Sequence, residues 1–396
     1  MLLEMSTQAI PLRSQHPGLS GSSRLASALT WLSLGWLLGA AAIGLGWDRR
    51  WHATHVFNTF YSPPHLFIYA MLALAVGTLG LVIWMPRLRS AFGPAVRVGA
   101  IPLSLPLPLA FCAGGLAVVM LAGLLDDVWH SSFGLDETAW SFPHAMIGAG
   151  LQLTFMGILS ARLALKGRER MTWYSVLGMA LLLFLFSADR FVGPLNQASA
   201  AFMQAVSRLP VLALQPTYQH VARISLRWDL FRDNLLFAPL AALATGMALS
   251  LVWSFAQRRW ILLVVAVLTT LLVARQDLGT SVYFGIARDF RNWLPVPVLP
   301  AAATFAALSL TRLPERWSWT AAGAVFGLLC LAWNPTVVAV PAAAVAMVVG
   351  AAAGRAVWHA IESPAPRTVL AVVSLLGVGV PAITGVVDLY LRLNTP

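Results

Sequence analysis

The sequence predicts an all-α fold, a polytopic helix bundle integral to a membrane, and three observations carry that expectation. Of the 396 residues, 59% are hydrophobic and only 10% are charged, against about 25% charged in soluble domains. Mean hydropathy is +0.76. Apolar stretches recur from Ser27 to Leu391 with short breaks, and about 20 such residues suffice to cross the hydrocarbon core as a helix.

Taken in order, residues 1–26 are polar and read as a flexible cytoplasmic N-terminus. The apolar stretch after them is too long for a signal-peptide core, so it reads as a retained first helix. About eleven transmembrane helices are expected, over 27–47, 65–85, 104–125, 142–165, 172–192, 235–256, 260–275, 296–311, 318–334, 337–353 and 368–391. The first five, within 27–192, carry all the candidate chemistry. Residues 193–234 form an outer-face connecting segment, where Arg208, Arg223, Arg227 and Arg232 alternate irregularly with apolar residues and suit an interfacial amphipathic helix. Residues 235–396 hold helices 6–11, whose spans contain no histidine.

The formal net charge is +11, but no basic run with interleaved aromatics is present, so nucleic acid is not an expected partner. The cations instead mark topology. Short loops at 86–103 (Arg87, Arg89, Arg97), 162–171 (Arg162, Lys166, Arg168, Arg170), 257–259 (Arg258, Arg259) and 312–317 (Arg312, Arg316) are positive. By the positive-inside rule they face the cytoplasm. The chain then sits in the inner (cytoplasmic) membrane with its N-terminus inside. An odd span count puts the C-terminus outside.

That orientation places two related segments on the periplasmic face. "GWDRRWHATHVFNTFYSPPH" (Gly46 to His65) and "LDDVWHSSFGLDETAWSFPH" (Leu125 to His144) share the order Asp, Trp-His, aromatic-Ser, Pro-His. Each joins two apolar helices, so the layout reads as a parallel internal repeat of helix pairs. "FSADRFVGP", "FRDNLLFAP" and "AWNPTVVAVP" echo it later without the histidines.

Asp48 and His52, like Asp126 and His130, are four residues apart and share a face of a helix. His65 and His144 each follow a proline, which suits the first turn of the returning helix, where a missing N–H costs nothing. The antiparallel return brings each back to the depth of its Asp/His pair. Two imidazoles and one carboxylate form a transition-metal donor set, with copper favoured on intrinsic affinity ahead of iron or zinc. The metal candidates are therefore Asp48, His52, His65, Asp126, His130 and His144. The competing reading makes them interface anchors in an aromatic belt with Trp31, Trp36, Trp47, Trp51, Trp84, Trp129 and Trp140. The doubled order, which uses four of the eight histidines, favours the metal.

His55 is a possible extra ligand to the first site, and Asp127 an alternative to Asp126, whose position keeps the repeat in register. His16, His220 and His359 read as surface residues, and Arg49 and Arg50 as headgroup contacts. Cys112 and Cys330 lie inside apolar spans without ligand spacing. No Walker A, G-x-S-x-G or H-E-x-x-H pattern supports an ATPase, hydrolase or zinc protease.

Asp48, Trp51, His52 and His65, with "YSPPH", resemble the metal-binding segment of the C subunit of particulate methane and ammonia monooxygenases, the copper membrane monooxygenases. Asp126, Trp129, His130 and His144, with "WSFPH", repeat it with one extra loop residue. The resemblance implies a membrane-embedded copper site with an Asp-His-His ligand set. It also implies a place in an oxygenase that acts on small apolar or ammonia-like substrates beside partner membrane subunits. The two triads then hold either one pair of ions or two separate ones. The alternative is a transporter or sensor that uses the same residues for metal or proton binding. That reading needs a polar path inward, for which Asn58, Gln152 and Thr154 are the candidates. A haem held by His52 and His144 leaves the recurring aspartate without a role.

Overall fold

The computed structural model describes residues 21–44, 47–48, 51, 60–97, 104–133, 141–166, 176, 178–180, 237–284, 297–331, 338–362, 371 and 374–393. Among these the chain is helical apart from one small hairpin. The helices of ten residues or more are α1 (Gly21–Gly39), α2 (Pro63–Trp84), α3 (Leu107–Phe133), α4 (Phe142–Lys166), α5 (Phe237–Ala256), α6 (Arg259–Phe284), α7 (Val298–Leu308), α8 (Glu315–Cys330), α9 (Ala339–Glu362) and α10 (Val380–Leu393). Strands β1 (Ala95–Arg97) and β2 (Ser104–Pro106) pair antiparallel with Val96 opposite Leu105. Gly93 turns the chain into β1 at φ 107°, a left-handed conformation that glycine adopts without strain.

Five helices among the described residues are long and apolar enough to cross a membrane: Pro63–Trp84, Leu107–Ser132, Phe142–Arg162, Ala238–Ala256 and Ala339–His359. The expected spans are modified elsewhere. Over 296–311 only α7 forms, and its 11 residues rise about 16 Å, half the hydrocarbon thickness. Pro297 precedes the first turn, and the chain leaves the helix at Ser309–Leu313, ahead of Pro314. α6 and α9 run past their expected ends at 275 and 353 to Phe284 and Glu362. Of 172–192 only 176 and 178–180 are described, and 193–234 lies outside the described residues.

Lipid is as apolar as leucine, so helix pairs in a membrane are held by close packing rather than by hydrophobic burial. α3 and α4 pack through glycines on both sides. A Cβ on Gly150 would stand 2.7 Å from the Gly115 carbonyl oxygen, and one on Gly157 would stand 2.6 Å from the Cys112 nitrogen. α5 and α9 do the same at Gly246 against Met347, Gly350 against Leu243 and Gly354 against Met247. The Ser250 hydroxyl donates across that interface to the Ala351 carbonyl at 2.8 Å. α1 and α2 are tied by a 2.6 Å hydrogen bond between Ser33 and Thr78. α7 and α8 stack Phe305 on Trp319 with centroids 3.8 Å apart. α10 returns to the first helices, Gly385 meeting Phe142 and the preceding π-helical turn bringing Gly377 against Val118 and Leu153.

Arg162, expected in a loop, is the last buried turn of α4 at 5% exposure. Its guanidinium donates to the Ser27 hydroxyl and lies 4.1 Å from the centre of the Trp31 ring. A planar, delocalised cation tolerates such burial on an aromatic face, so Arg162 locks α4 to α1.

Candidate metal centre

The candidate site lies where α3 ends and α4 begins. α3 continues past its apolar stretch through Asp126 to Phe133, which places Asp126 and His130 one turn apart on one face. His130 Nε2 stands 3.5 Å from Asp126 Oδ2. α4 starts with Ser141 as its N-cap and Pro143 in the first turn, so His144 is the third helical residue. That turn brings His144 Nδ1 to 3.7 Å from Asp126 Oδ1. The two imidazole rings meet edge to face, centroids 6.1 Å apart.

One donor atom from each of Asp126, His130 and His144 lies within 4.8 Å of the others. Donors bound to one ion at about 2.0–2.2 Å lie about 3–3.5 Å apart, so roughly an ångström of side-chain movement per donor closes the set. The side chains are only 12%, 19% and 26% exposed. One carboxylate and two imidazoles, shielded but reachable, fit a divalent transition ion with coordination positions left open. Asp127 is exposed, so helix phase selects Asp126 from the adjacent pair.

The first segment forms a related contact. After α1 the backbone widens into a π-helical turn, Ala40–Gly44, and Gly44 lies so close to α2 that a Cβ there would stand 2.5 Å from Ile68. Asp48 follows and reaches α2, its Oδ1 3.0 Å from His65 Nε2, with both side chains nearly buried at 13% and 11%. His65 is the third residue of α2, after Pro63 and Pro64, as His144 is of α4. His52, which would complete the first triad, lies outside the described residues, as do His55, Arg49, Arg50, Asn58, His16 and His220.

Two residues near the sites were not singled out by the sequence. Ser141 holds His144 directly, Oγ to Nδ1 at 2.9 Å. Tyr69 lies one turn beyond His65 with ring centroids 5.9 Å apart, backed by Phe60 at 4.7 Å. Their signals were a serine three residues before each histidine and an aromatic at helical spacing after one, both common for ordinary structural reasons.

Of the polar residues considered for an inward path, Gln152 and Thr154 are buried on α4. Thr154 Oγ1 donates to the Gly150 carbonyl at 2.8 Å within its own helix and packs against Gly115. It serves the α3–α4 contact. His359 is exposed on α9, as a surface residue should be.

The chain has no significant match to a family model, a curated protein or a solved structure.

Proposed function

We propose that this chain is an integral membrane metal-binding protein for copper, and that Asp126, His130 and His144 form one centre while Asp48, His65 and His52 form a second. The convergence of one carboxylate and two imidazole donors within 4.8 Å carries the reading. The two centres use separate donor sets and hold one ion each. The bundle has about eleven spans, the helix pairs 27–85 and 104–165 being the two copies of an internal repeat. Its basic loops face the cytoplasm, and both centres face the periplasm in the inner membrane.

The chemistry assigned is that of a component of a monooxygenase-like oxidoreductase with partner membrane subunits. When bound, copper would supply one-electron chemistry for oxygen activation. The chain's own residues hold the ion, balance its charge through the aspartate and leave positions open for small ligands. A small apolar substrate arrives through the bilayer, past the exposed Leu121, Leu124 and Val128 on the outward side of α3.

Equilibrium copper uptake by the purified protein, measured against a competing chelator, tests the reading. His130→Ala and His144→Ala are each expected to weaken the Asp126–His130–His144 centre by more than the roughly 10–100-fold that loss of an outer-sphere partner costs. Uptake unchanged in both variants would refute the assignment.

A further inference from the structure

Away from the candidate metal ligands, helices α5–α9 gather positive charge at one end. Arg259, the first residue of α6, donates through Nε to the Ser309 hydroxyl at 2.8 Å and through Nη2 to the Ser309 carbonyl at 2.6 Å. Glu315, the first residue of α8, accepts from Arg355 on α9 and from the Trp319 indole N–H at 3.1 Å. These contacts bring residues 257–260, 309–317 and 355 to the same end of the bundle. The three stretches hold five arginines, Arg258, Arg259, Arg312, Arg316 and Arg355, and one acid, Glu315.

That acid is already engaged by Arg355 and Trp319. Arg258 is half-buried and Arg312 and Arg316 are exposed, and none of the three has a carboxylate partner among the described residues. Large apolar side chains stand exposed between them: Trp260 at 52%, Leu310 at 71%, Leu313 at 51% and Trp317 at 52%. The Arg316 guanidinium lies 5.8 Å from the centre of the Trp317 ring. Tryptophan interleaved with arginine suits a membrane–water boundary, where the ring sits at headgroup depth and the cation extends to the phosphates.

The backbone points to the same depth. Residues 309–313 have left the helix, and irregular backbone is not tolerated against hydrocarbon. Ser309 and Thr311 turn their hydroxyls back on the Ala306 and Leu308 carbonyls at 2.8 and 2.6 Å. The turn at Gln257 and Arg258 directly follows the apolar stretch Ala238–Ala256, so it too lies where hydrocarbon gives way to headgroups.

We propose that this end of α5–α9 is a docking surface for the headgroups of anionic phospholipids, with Arg258, Arg312 and Arg316 pairing with phosphate and Trp260 and Trp317 seated among the headgroups. Charge selects the partner. A zwitterionic headgroup carries its own cation beside the phosphate, whereas an anionic one presents net negative charge that unpaired arginines offset, and the guanidinium fork matches two phosphate oxygens at once. The exposed tryptophans and leucines favour a bilayer over an acidic soluble protein, which has no apolar layer to receive them. The surface stands apart from the metal reading, and copper plays no part in it.

Native mass spectrometry of the full-length protein in mild detergent, titrated with phosphatidylglycerol or with phosphatidylcholine of the same acyl chains, tests the proposal. Wild type is expected to bind phosphatidylglycerol more tightly. Arg312→Gln and Arg316→Gln should each weaken that binding by about fivefold, the share of one arginine at an anionic surface, and leave phosphatidylcholine binding unchanged. Arg312→Lys and Arg316→Lys keep the charge and most of the affinity. Arg87→Gln, at an exposed position just after α2, should stay within about twofold of wild type, because separated exposed charges are screened from one another.

Equal affinity of wild type for the two lipids would overturn the proposal, as would phosphatidylglycerol binding that neither glutamine variant moves. A loss on Arg87→Gln as large as on Arg312→Gln would also overturn it, by assigning the preference to the positive charge of the whole chain. Both glutamine variants are expected to unfold in lipid-free detergent at the wild-type temperature. A lower temperature, with lysine failing to restore lipid binding, would make the arginines structural and contradict the docking role.

Discussion

Asp126 and Asp127 are adjacent carboxylates with opposite fates. The turn of α3 directs Asp126 into the contact with His130 and His144 and leaves Asp127 exposed. Asp126→Asn keeps the shape but removes the charge that offsets a divalent cation, so copper affinity at that centre should fall by at least the roughly tenfold at the lower end of outer-sphere effects. Asp127→Asn should leave it within about twofold, since an exposed charge is screened by water and salt. A chelator-competition titration of the two variants separates these outcomes. The grouping of Asp126 with His130 and His144 was legible in the sequence because the doubled order fixed which aspartate kept the register. The contacts of Ser141 and Tyr69 were not, because they depend on where the rings of His144 and His65 turn, which spacing along one helix does not encode.

The centre inherits its geometry from the way α3 and α4 pack. Gly115 and Gly150 bring together the backbones of the two helices that carry Asp126, His130 and His144, and a larger side chain must force them apart. Gly150→Val is expected to destabilise the fold by about 1–3 kcal/mol, the usual cost of overpacking, and to weaken copper binding at Asp126, His130 and His144. Thermal unfolding in detergent reads the first effect and chelator competition the second. Arg162→Ala removes a hydrogen bond from a charged donor and a cation–π contact between α4 and α1, for an expected loss of about 2 kcal/mol. A melting temperature equal to wild type would show that Arg162 does not lock the pair. Long helices such as α2 and α4 were legible because an uninterrupted apolar run bounded by proline leaves little choice. The shortness of α7 was not, since hydropathy registers the apolar residues of 296–311 without registering where the chain leaves the helix.

The described molecule has two sets of packed helices, α1–α4 with the candidate centres and α5–α9 joined most extensively through α5 and α9. The C-terminal helix α10 connects back to the first set, and Gly385 touches Phe142 in the same turn that carries Ser141 and His144. Ending the chain after residue 373 should therefore weaken copper binding at Asp126, His130 and His144 more than at Asp48 and His65, which chelator competition on the shortened protein measures. The membrane character was legible from composition, because 59% hydrophobic residues with 10% charged cannot be hidden from water in a soluble bundle, and the all-α class from apolar stretches of about 20 residues. The return of α10 to α4 was not, because it depends on small residues meeting across distant parts of the chain. The central claim is that Asp126, His130 and His144 hold copper in the native protein. Metal analysis by mass spectrometry of protein purified from its native membrane in mild detergent, beside a His65→Ala/His130→Ala double variant, tests it most directly. Stoichiometric copper in wild type and its loss in the variant is the expected result. A wild-type protein without copper that takes up none when the ion is supplied would contradict it.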